Sequence, residues 1–356
     1  MKVAVTGTRG IPNVMGGVET HCEELCPRLA AAGVDVTVVR RSNYVSDGLA
    51  EWKGVTLKDI PAPKKKAFEA IVHTWRAINF AARQHADIVH INAVGPALLA
   101  PYAKLRGFKV VFTHHGPDYD REKWGRAAKM MLRLGERMGV KYADEVIVIS
   151  DVIRTIIREK YGRTERVHLI YNGVPAPDVC DYPEYFSELG IEPGKYVLGM
   201  CRFVPEKRLQ DLVEACKGLQ GYKLVLAGDT DFEDDYSRKL KADAKEAGAV
   251  LTGFIRGREL HSLLSHAALY VLPSSHEGLP IALLEAMSYG CKVLVSDIPA
   301  NLEVGLPGGN YFRCGDIEDL KKGLLRQLSS DAVPEYDMSK YDWDRIARQV
   351  FEVYEH

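Results

Sequence analysis
The chain has 356 residues, a net charge of -1, 46% hydrophobic residues and 27% charged ones. That length exceeds one ordinary core and predicts two domains. The near-zero charge provides no bulk field for nucleic acid. No run reaches the roughly 18 apolar residues of a membrane span, and the most apolar stretch, Ile91 to Ala103, is short and holds two prolines.

The N-terminus enters a strand pattern at once, without signal-peptide features. Strands are expected at Val3–Thr6, Asp35–Val39, Val55–Ile60, Asp87–Asn92, Lys109–Thr113, Glu145–Ile149 and Val167–Ile170. Helices are expected between them, near Val18–Ala32, Phe68–Gln84, Ala97–Arg106, Trp124–Tyr142 and Asp151–Tyr161. Several strands are apolar on both faces, as buried parallel strands are. Residues 1–172 therefore read as a doubly wound α/β domain. The proline-rich stretch 173–194 has no clear period and reads as a linker.

A second alternating series fills 195–340. Its strands are Tyr196–Met200, Lys223–Ala227, Val250–Thr252, Leu269–Leu272 and Lys292–Ser296. Its helices lie near Arg208–Gly218, Tyr236–Ala247, Arg258–Ala267, Pro280–Tyr289 and Asp316–Leu328. A final amphipathic helix in 341–356 presents Ile346, Val350, Phe351 and Tyr354 on one face and is expected to dock back on the first domain. Seven scattered cysteines lack a metal-ligand set and read as reduced, small apolar residues, which points to the cytoplasm.

Ligands of doubly wound sheets bind beyond the C-terminal strand ends, so the loops there carry the chemistry. The first is Gly7-Thr8-Arg9-Gly10-Ile11-Pro12-Asn13-Val14-Met15-Gly16-Gly17, which lacks the spacing of a dinucleotide fingerprint. Gly16 and Gly17, at a helix start, let a ligand approach the backbone. His114 and His115 end the fifth strand, and neighbouring side chains there point opposite ways. One would face the core and the other the ligand. The loop that follows offers Asp118 and Arg121 as acceptor-binding groups.

In the second domain, Arg202 and Lys207 flank a turn after the first strand, where two cations can neutralise a diphosphate. A surface basic cluster paired with Glu206 is the plain alternative. The triplets Asp118-Tyr119-Asp120 and Asp229-Thr230-Asp231 resemble metal-diphosphate ligands. Such short matches arise often in loops, and no metal or cofactor is expected. Lys64-Lys65-Lys66 precedes a helix whose Phe68, Ile71, Val72, Trp75 and Phe80 read as core-facing. The other reading of that segment is peripheral contact with the inner face of a cytoplasmic membrane.

The densest signal is Ser274 to Gly290. A strand ends at Pro273, a polar loop carries Glu277 and Gly278, and Pro280 suits the first helical position, with Gly290 as the stop. The helix start at Gly278, Leu279 and Pro280 suits a phosphate. Glu277 and, about two turns on, Glu285 can accept hydroxyl hydrogen bonds. Glu285 sits in an apolar context where a solvated charge is unexpected.

Together, the Gly16-Gly17-Val18-Glu19 turn, Thr113-His114-His115-Gly116, Asn172-Gly173-Val174, Arg202 with Glu206-Lys207, and Glu277 through Glu285 resemble glycosyltransferase family 4 over nearly the whole chain. Ser296-Asp297-Ile298-Pro299 adds to the match. The opening Gly7 to Pro12 with Lys123-Trp124 is similar to a subgroup that includes bacterial rhamnosyltransferases. The resemblance implies a GT-B fold, two Rossmann-like domains facing across a cleft, and retaining transfer from a nucleotide sugar to a glycan or lipid-linked acceptor. It implies that Arg202 and Lys207 bind the donor diphosphate with Gly17 beside it, that Glu277 contacts the sugar and Glu285 the ribose, and that His115 lies near the anomeric carbon. Leu279-Pro280 stand where many members carry an aromatic residue and another glycine. The alternatives are a nucleotide-sugar 2-epimerase on the same fold and a non-catalytic nucleotide-sugar-binding partner. A nicotinamide dehydrogenase lacks its fingerprint here.

Overall fold
The computed structural model describes residues 1–63, 66–120, 125–230, 233–332 and 334–356. In chain order its elements are β1 (Lys2–Thr6), α1 (Gly17–Ala31), β2 (Asp35–Arg41), β3 (Glu51–Trp52), β4 (Val55–Ile60), α2 (Lys66–Arg83), β5 (Ile88–Asn92), α3 (Ala100–Leu105), β6 (Lys109–His114), α4 (Arg126–Tyr142), β7 (Glu145–Val148), α5 (Asp151–Tyr161) and β8 (Val167–Leu169). There follow α6 (Pro183–Leu189), β9 (Tyr196–Met200), α7 (Leu209–Cys216), β10 (Lys223–Ala227), α8 (Asp235–Glu246), β11 (Val250–Gly253), α9 (Arg258–Ser265), β12 (Leu269–Leu272), α10 (Ile281–Ser288), β13 (Val293–Ser296), α11 (Pro299–Leu302), β14 (Tyr311–Phe312), α12 (Ile317–Leu328) and α13 (Trp343–Glu355).

The chain forms two compact units, Met1–Gly173 with Lys340–His356, and Val174–Ser339. The first holds an eight-stranded sheet in the order β3-β4-β2-β1-β5-β6-β7-β8. All its pairs are parallel but β3 with β4, a short hairpin too brief for any sequence period to show. The second holds a six-stranded parallel sheet, β11-β10-β9-β12-β13-β14. Each order reverses once about its first strand, at β1/β5 and at β9/β12, and such switch points open a crevice at the carboxyl strand ends.

Side-chain caps place several helices. Ser150 accepts from the Ile153 amide before α5, Asp316 from Asp319 before α12, and Asp342 from Arg345 before α13. Within the first unit, α13 lies against α1. Trp343, Ile346, Val350, Val353 and Tyr354 enter the same core as Cys22, Leu25, Cys26, Leu29, Val3 and Val36. The second core joins Val197, Leu212, Leu226, Leu269, Val271, Leu294 and Leu324.

Three expectations change. The 173–194 segment carries α6, opened by Pro183 and stopped by left-handed Gly190, with Tyr185 and Phe186 buried. A seven-residue helix is too short for periodicity to reveal among prolines. Pro280 caps α10 in extended conformation rather than opening it, so the helix starts at Ile281. On α2 the inner face is His73, Thr74, Ala77, Ile78 and Ala81, whereas Phe68 and Trp75 are exposed. Buried Glu69 pairs with Arg41, so polar partners rather than the aromatics turn this helix inward. Lys64 and Lys65 lie outside the described residues.

Candidate active site
In the second unit the site forms around the β9/β12 switch point. The chain leaves β9 through Cys201 and Arg202 and turns through Pro205–Lys207 into α7. It leaves β12 through a loop ending at the cap of α10. Main chain ties the two loops together: the Ser275 amide donates to the Glu206 carbonyl at 2.9 Å, and the Ser275 hydroxyl adds a second bond at 3.2 Å. Lys207 Nζ then meets Glu277 Oε1 at 2.5 Å, with the Glu277 side chain only 8% exposed. Lys207 thus pairs with Glu277, and Glu206 acts here through its backbone.

Two buried groups show what else converges. Burial pushes the Cys201 thiol up to about 12, with Lys207, Glu277, Arg202 and Glu206 close enough to act on it. The wholly buried Tyr270 phenol is pushed up by burial, then by Cys201, Glu277 and Glu285. Arg202, Lys207 and Glu277 thus bear on Cys201 just past β9, and Glu277 and Glu285 on Tyr270 of β12. Leu279 is buried, and Gly278 is half-buried beside the start of α10, whose first amides have no carbonyl four residues back inside the helix. Only glycine fits at position 228, at the end of β10, since a Cβ there would lie 2.1 Å from the Cys201 carbonyl oxygen.

In the first unit the corresponding point is β1/β5. Gly7 follows β1 at φ +96°, and a Cβ on it would lie 2.0 Å from the Asn92 carbonyl oxygen. The same loop runs to Gly16, the cap of α1, and to exposed Gly17, whose Cβ position is open space. Under that turn, Glu19 accepts from the Arg9 amide at 2.9 Å and pairs with its guanidinium at 3.4 Å. Gly16 stands at φ +141°, where a side chain is strained, and a Cβ on it would also displace the Glu19 carboxylate, 2.1 Å away.

The paired histidines divide as alternation requires. His114 is fully buried and donates from Nε2 to Glu136 at 2.9 Å, while its Nδ1 accepts from the Gly116 amide at 3.1 Å. Glu136 also receives Tyr119 at 3.0 Å, Lys160 at 2.5 Å and Tyr161. These donors, together outweighing its burial, hold that carboxyl down at about 2. His115 is half-buried, with Nε2 2.9 Å from Asn92 Oδ1. Burial, then His21, His90 and His114, keep it well below the ordinary imidazole value and so neutral. Asn92 Nδ2 donates to the Thr6 carbonyl at 3.4 Å, which aims Oδ1 at His115 and leaves its Nδ1 as the acceptor.

Asp118 opens a single turn, Asp118–Asp120, just past this loop. Arg121, Lys123, Trp124 and Asp231 lie outside the described residues. Asp229 pairs with Lys241 at 2.7 Å. Asn92 and Glu136 escaped the sequence reading, and Glu19 entered it only as part of the glycine turn. Asn92 carried a usable signal, a lone amide at the carboxyl end of an apolar parallel strand.

Residues 15–176 match the model for Glycosyltransferase Family 4, and residues 181–342 the model for Glycosyl transferases group 1. The alpha-maltose-1-phosphate synthase of Mycolicibacterium smegmatis is 25% identical and aligned over 99% of both chains. The Escherichia coli UDP-Gal:alpha-D-GlcNAc-diphosphoundecaprenol alpha-1,3-galactosyltransferase is 28% identical over 68% of this chain and 67% of its own. Among solved structures, Anabaena HepE in complex with UDP-glucose superposes with a TM-score of 0.82 at 18% identity, covering 100% of this chain and 99% of that one. The shared architecture is the GT-B fold. The chain belongs to the glycosyltransferases, with a family 4 domain followed by a group 1 domain.

Proposed function
We propose that this glycosyltransferase takes its sugar from a nucleoside diphosphate donor and passes it, with retention and without a metal ion, to a hydroxyl of a glycan or lipid-linked oligosaccharide in bacterial surface-polysaccharide assembly. The observation that carries the reading is the Lys207–Glu277 pair at the β9/β12 switch point, a cation and a hydroxyl acceptor at the strand ends beside the start of α10. The names of the relatives support it: one E. coli relative uses UDP-Gal and a diphosphoundecaprenol acceptor, and HepE was solved with UDP-glucose.

In this reading Lys207 and Arg202 stabilise the negative charge that grows on the departing diphosphate, the task a divalent ion would otherwise perform. Gly17, the amides of Gly278 and Leu279, and Pro280 beside them contact that group. Glu277 and His115 hold the sugar, Glu285 the ribose, and Asp118 and Arg121 the acceptor. The acceptor oxygen bonds to the anomeric carbon as the bond from that carbon to the diphosphate oxygen breaks. The hydroxyl proton passes to the departing phosphate oxygen on the same face, so configuration is kept.

A thermal-shift panel of sugar nucleotides identifies the donor, because a ligand of the folded state alone raises the melting temperature. Product NMR then reads the new linkage. An inverted anomeric centre overturns retention, and turnover abolished by EDTA and restored by Mg²⁺ overturns metal independence.

A lipid-linked acceptor also calls for contact with a membrane surface. The exposed face of α4 carries Arg126, Arg133, Arg137 and Lys141 with Met130 and Leu134, while Glu136, the acid on that helix, points inward. Phe68 and Trp75 are exposed on α2, which packs against the same turn, Pro96–Leu99, as α4. Cations around exposed apolar side chains suit anionic lipid. Flotation with phosphatidylglycerol vesicles, lost in an Arg133→Glu/Arg137→Glu variant, is the expected result. No flotation of the unaltered protein removes this part of the proposal.

A further inference from the structure
His21 has no role in the reading above. It lies on α1, one turn past Gly17, and is 2% exposed. Its Nδ1 is 3.1 Å from Asn172 Oδ1. Its ring stands edge-on to His115, with centroids 4.8 Å apart and planes at 79°, and edge-on to Trp343, at 5.6 Å and 64°. Asn172 and Trp343 are the notable neighbours. The chain passes from the first unit to the second at Gly173–Val174 and returns at Ser339–Lys340. Asn172 precedes the outgoing point, and Trp343 follows the returning one.

The two crossings are locked together there. A Cβ on Gly173 would lie 2.6 Å from the Trp343 ring, so the indole sits directly on the outgoing peptide. The indole Nε1 makes no hydrogen bond among the described residues, so packing orients it. His21 is thus held by one crossing through a hydrogen bond and by the other through ring contact. On its third side it borders His115, whose bond to Asn92 fixes the tautomer while the His21 ring edge sets its tilt.

We infer that His21 is a positioning residue for His115, and that it ties the orientation of that ring to both peptides by which the chain passes between its units. The inference rests on the role proposed for His115. A shift at either crossing displaces His21 and so retilts His115 relative to the anomeric carbon, where small misplacements cost much rate.

The test uses the full chain and the sugar nucleotide selected by the thermal-shift panel. His21→Phe keeps a ring but loses the Nδ1–H, and Asn172→Ala removes its acceptor. Each is expected to lower kcat about tenfold, to leave the donor dissociation constant within about twofold, and to move the His115 ring resonances in NMR spectra assigned with His115→Ala. Adding His115→Ala to either variant should cause no loss beyond that of His115→Ala alone, since a ring that is gone cannot be misplaced. Losses that multiply, unmoved His115 signals, or weaker donor binding that accounts for the lost turnover would each overturn the inference while leaving His115 in its role. Full turnover in His115→Ala would instead remove that role, and the inference with it. If His21→Phe does not fold, Asn172→Ala decides.

Discussion
Lys207 Nζ and Glu277 Oε1 stand 2.5 Å apart, closing the gap between the loop after β9 and the loop after β12. Under the proposed function, an arriving diphosphate competes for the ammonium and an arriving sugar for the carboxylate. Lys207→Ala should therefore lower turnover by about a hundredfold or more, as loss of a charge-stabilising group does. Glu277→Ala should lower turnover more than it weakens nucleoside diphosphate binding, because its proposed partner is the sugar. Steady-state kinetics beside calorimetric titration with the nucleoside diphosphate separates the two, and near-normal turnover in Lys207→Ala would contradict the assignment.

Glu136 is the hub of the first unit's buried polar network, fully enclosed and held by four donors. Glu136→Ala strands His114, Tyr119 and Tyr161 and should cost about 3–5 kcal/mol of stability, the range for breaking a buried charged pair. Urea unfolding measures it. Tyr161→Phe, which removes one donor of the four, should cost about 1 kcal/mol. Equal losses in both variants would show that the carboxylate is not the centre.

Acid should unfold this protein in two overlapping stages. Burial holds His21 and His73 at about 4 and His90 at about 3, each down from 6.5. Between those values the unfolded chain binds protons that the native state refuses, so their stabilisation is complete above about 6.5 and declines as pH falls. Each contributes up to about 1.4 kcal/mol per pH unit. Glu136, at about 2 against 4.5, adds loss in the same direction once pH drops below 4.5. The urea midpoint should stay level from pH 7 to 8, fall below 6.5, and fall faster below 4.5. A level midpoint down to pH 5 would contradict the buried-histidine argument, and His73→Gln should flatten the upper stage by up to one proton.

Gly7→Ala should be severe despite adding a single methyl group. Its Cβ would have to occupy a place 2.0 Å from the Asn92 carbonyl oxygen, at a backbone angle that side chains disfavour. Separating β1 from β5 there also moves Asn92, the partner of His115. A loss of about 1–3 kcal/mol in stability is expected, with a loss of turnover greater than that of an alanine at open Gly17. Comparable activity in the two variants would show that the contact yields.

The elements legible from the sequence were those whose signal is local. Apolar runs such as Val110–Thr113 and Val146–Ile149 announced parallel strands, and the Ser274–Gly290 stretch announced a strand, a loop and a helix. What escaped was set by distant pairing. Nothing near Lys207 says that its partner is Glu277, 70 positions on. Arg40 is fully buried inside a core strand because Asp47 and Asp59 grip its guanidinium, which no hydropathy pattern would predict. The orientation of α2 failed for the same reason: Arg41 and Tyr44 draw Glu69 inward, and Trp75 on the opposite side is left to solvent.

The packing of α13 on α1 makes the second unit an insertion inside the first. Ribosomal synthesis then delivers the parts out of step. The six-stranded sheet can complete itself while Cys22, Leu25, Cys26 and Leu29 still wait for Ile346 and Val350. During that interval the nascent chain displays an unroofed apolar stripe. Chaperone capture should concentrate on it, and clipping just before Lys340 should cut α13 away from its own unit, leaving a well-folded second half still joined to an aggregation-prone first.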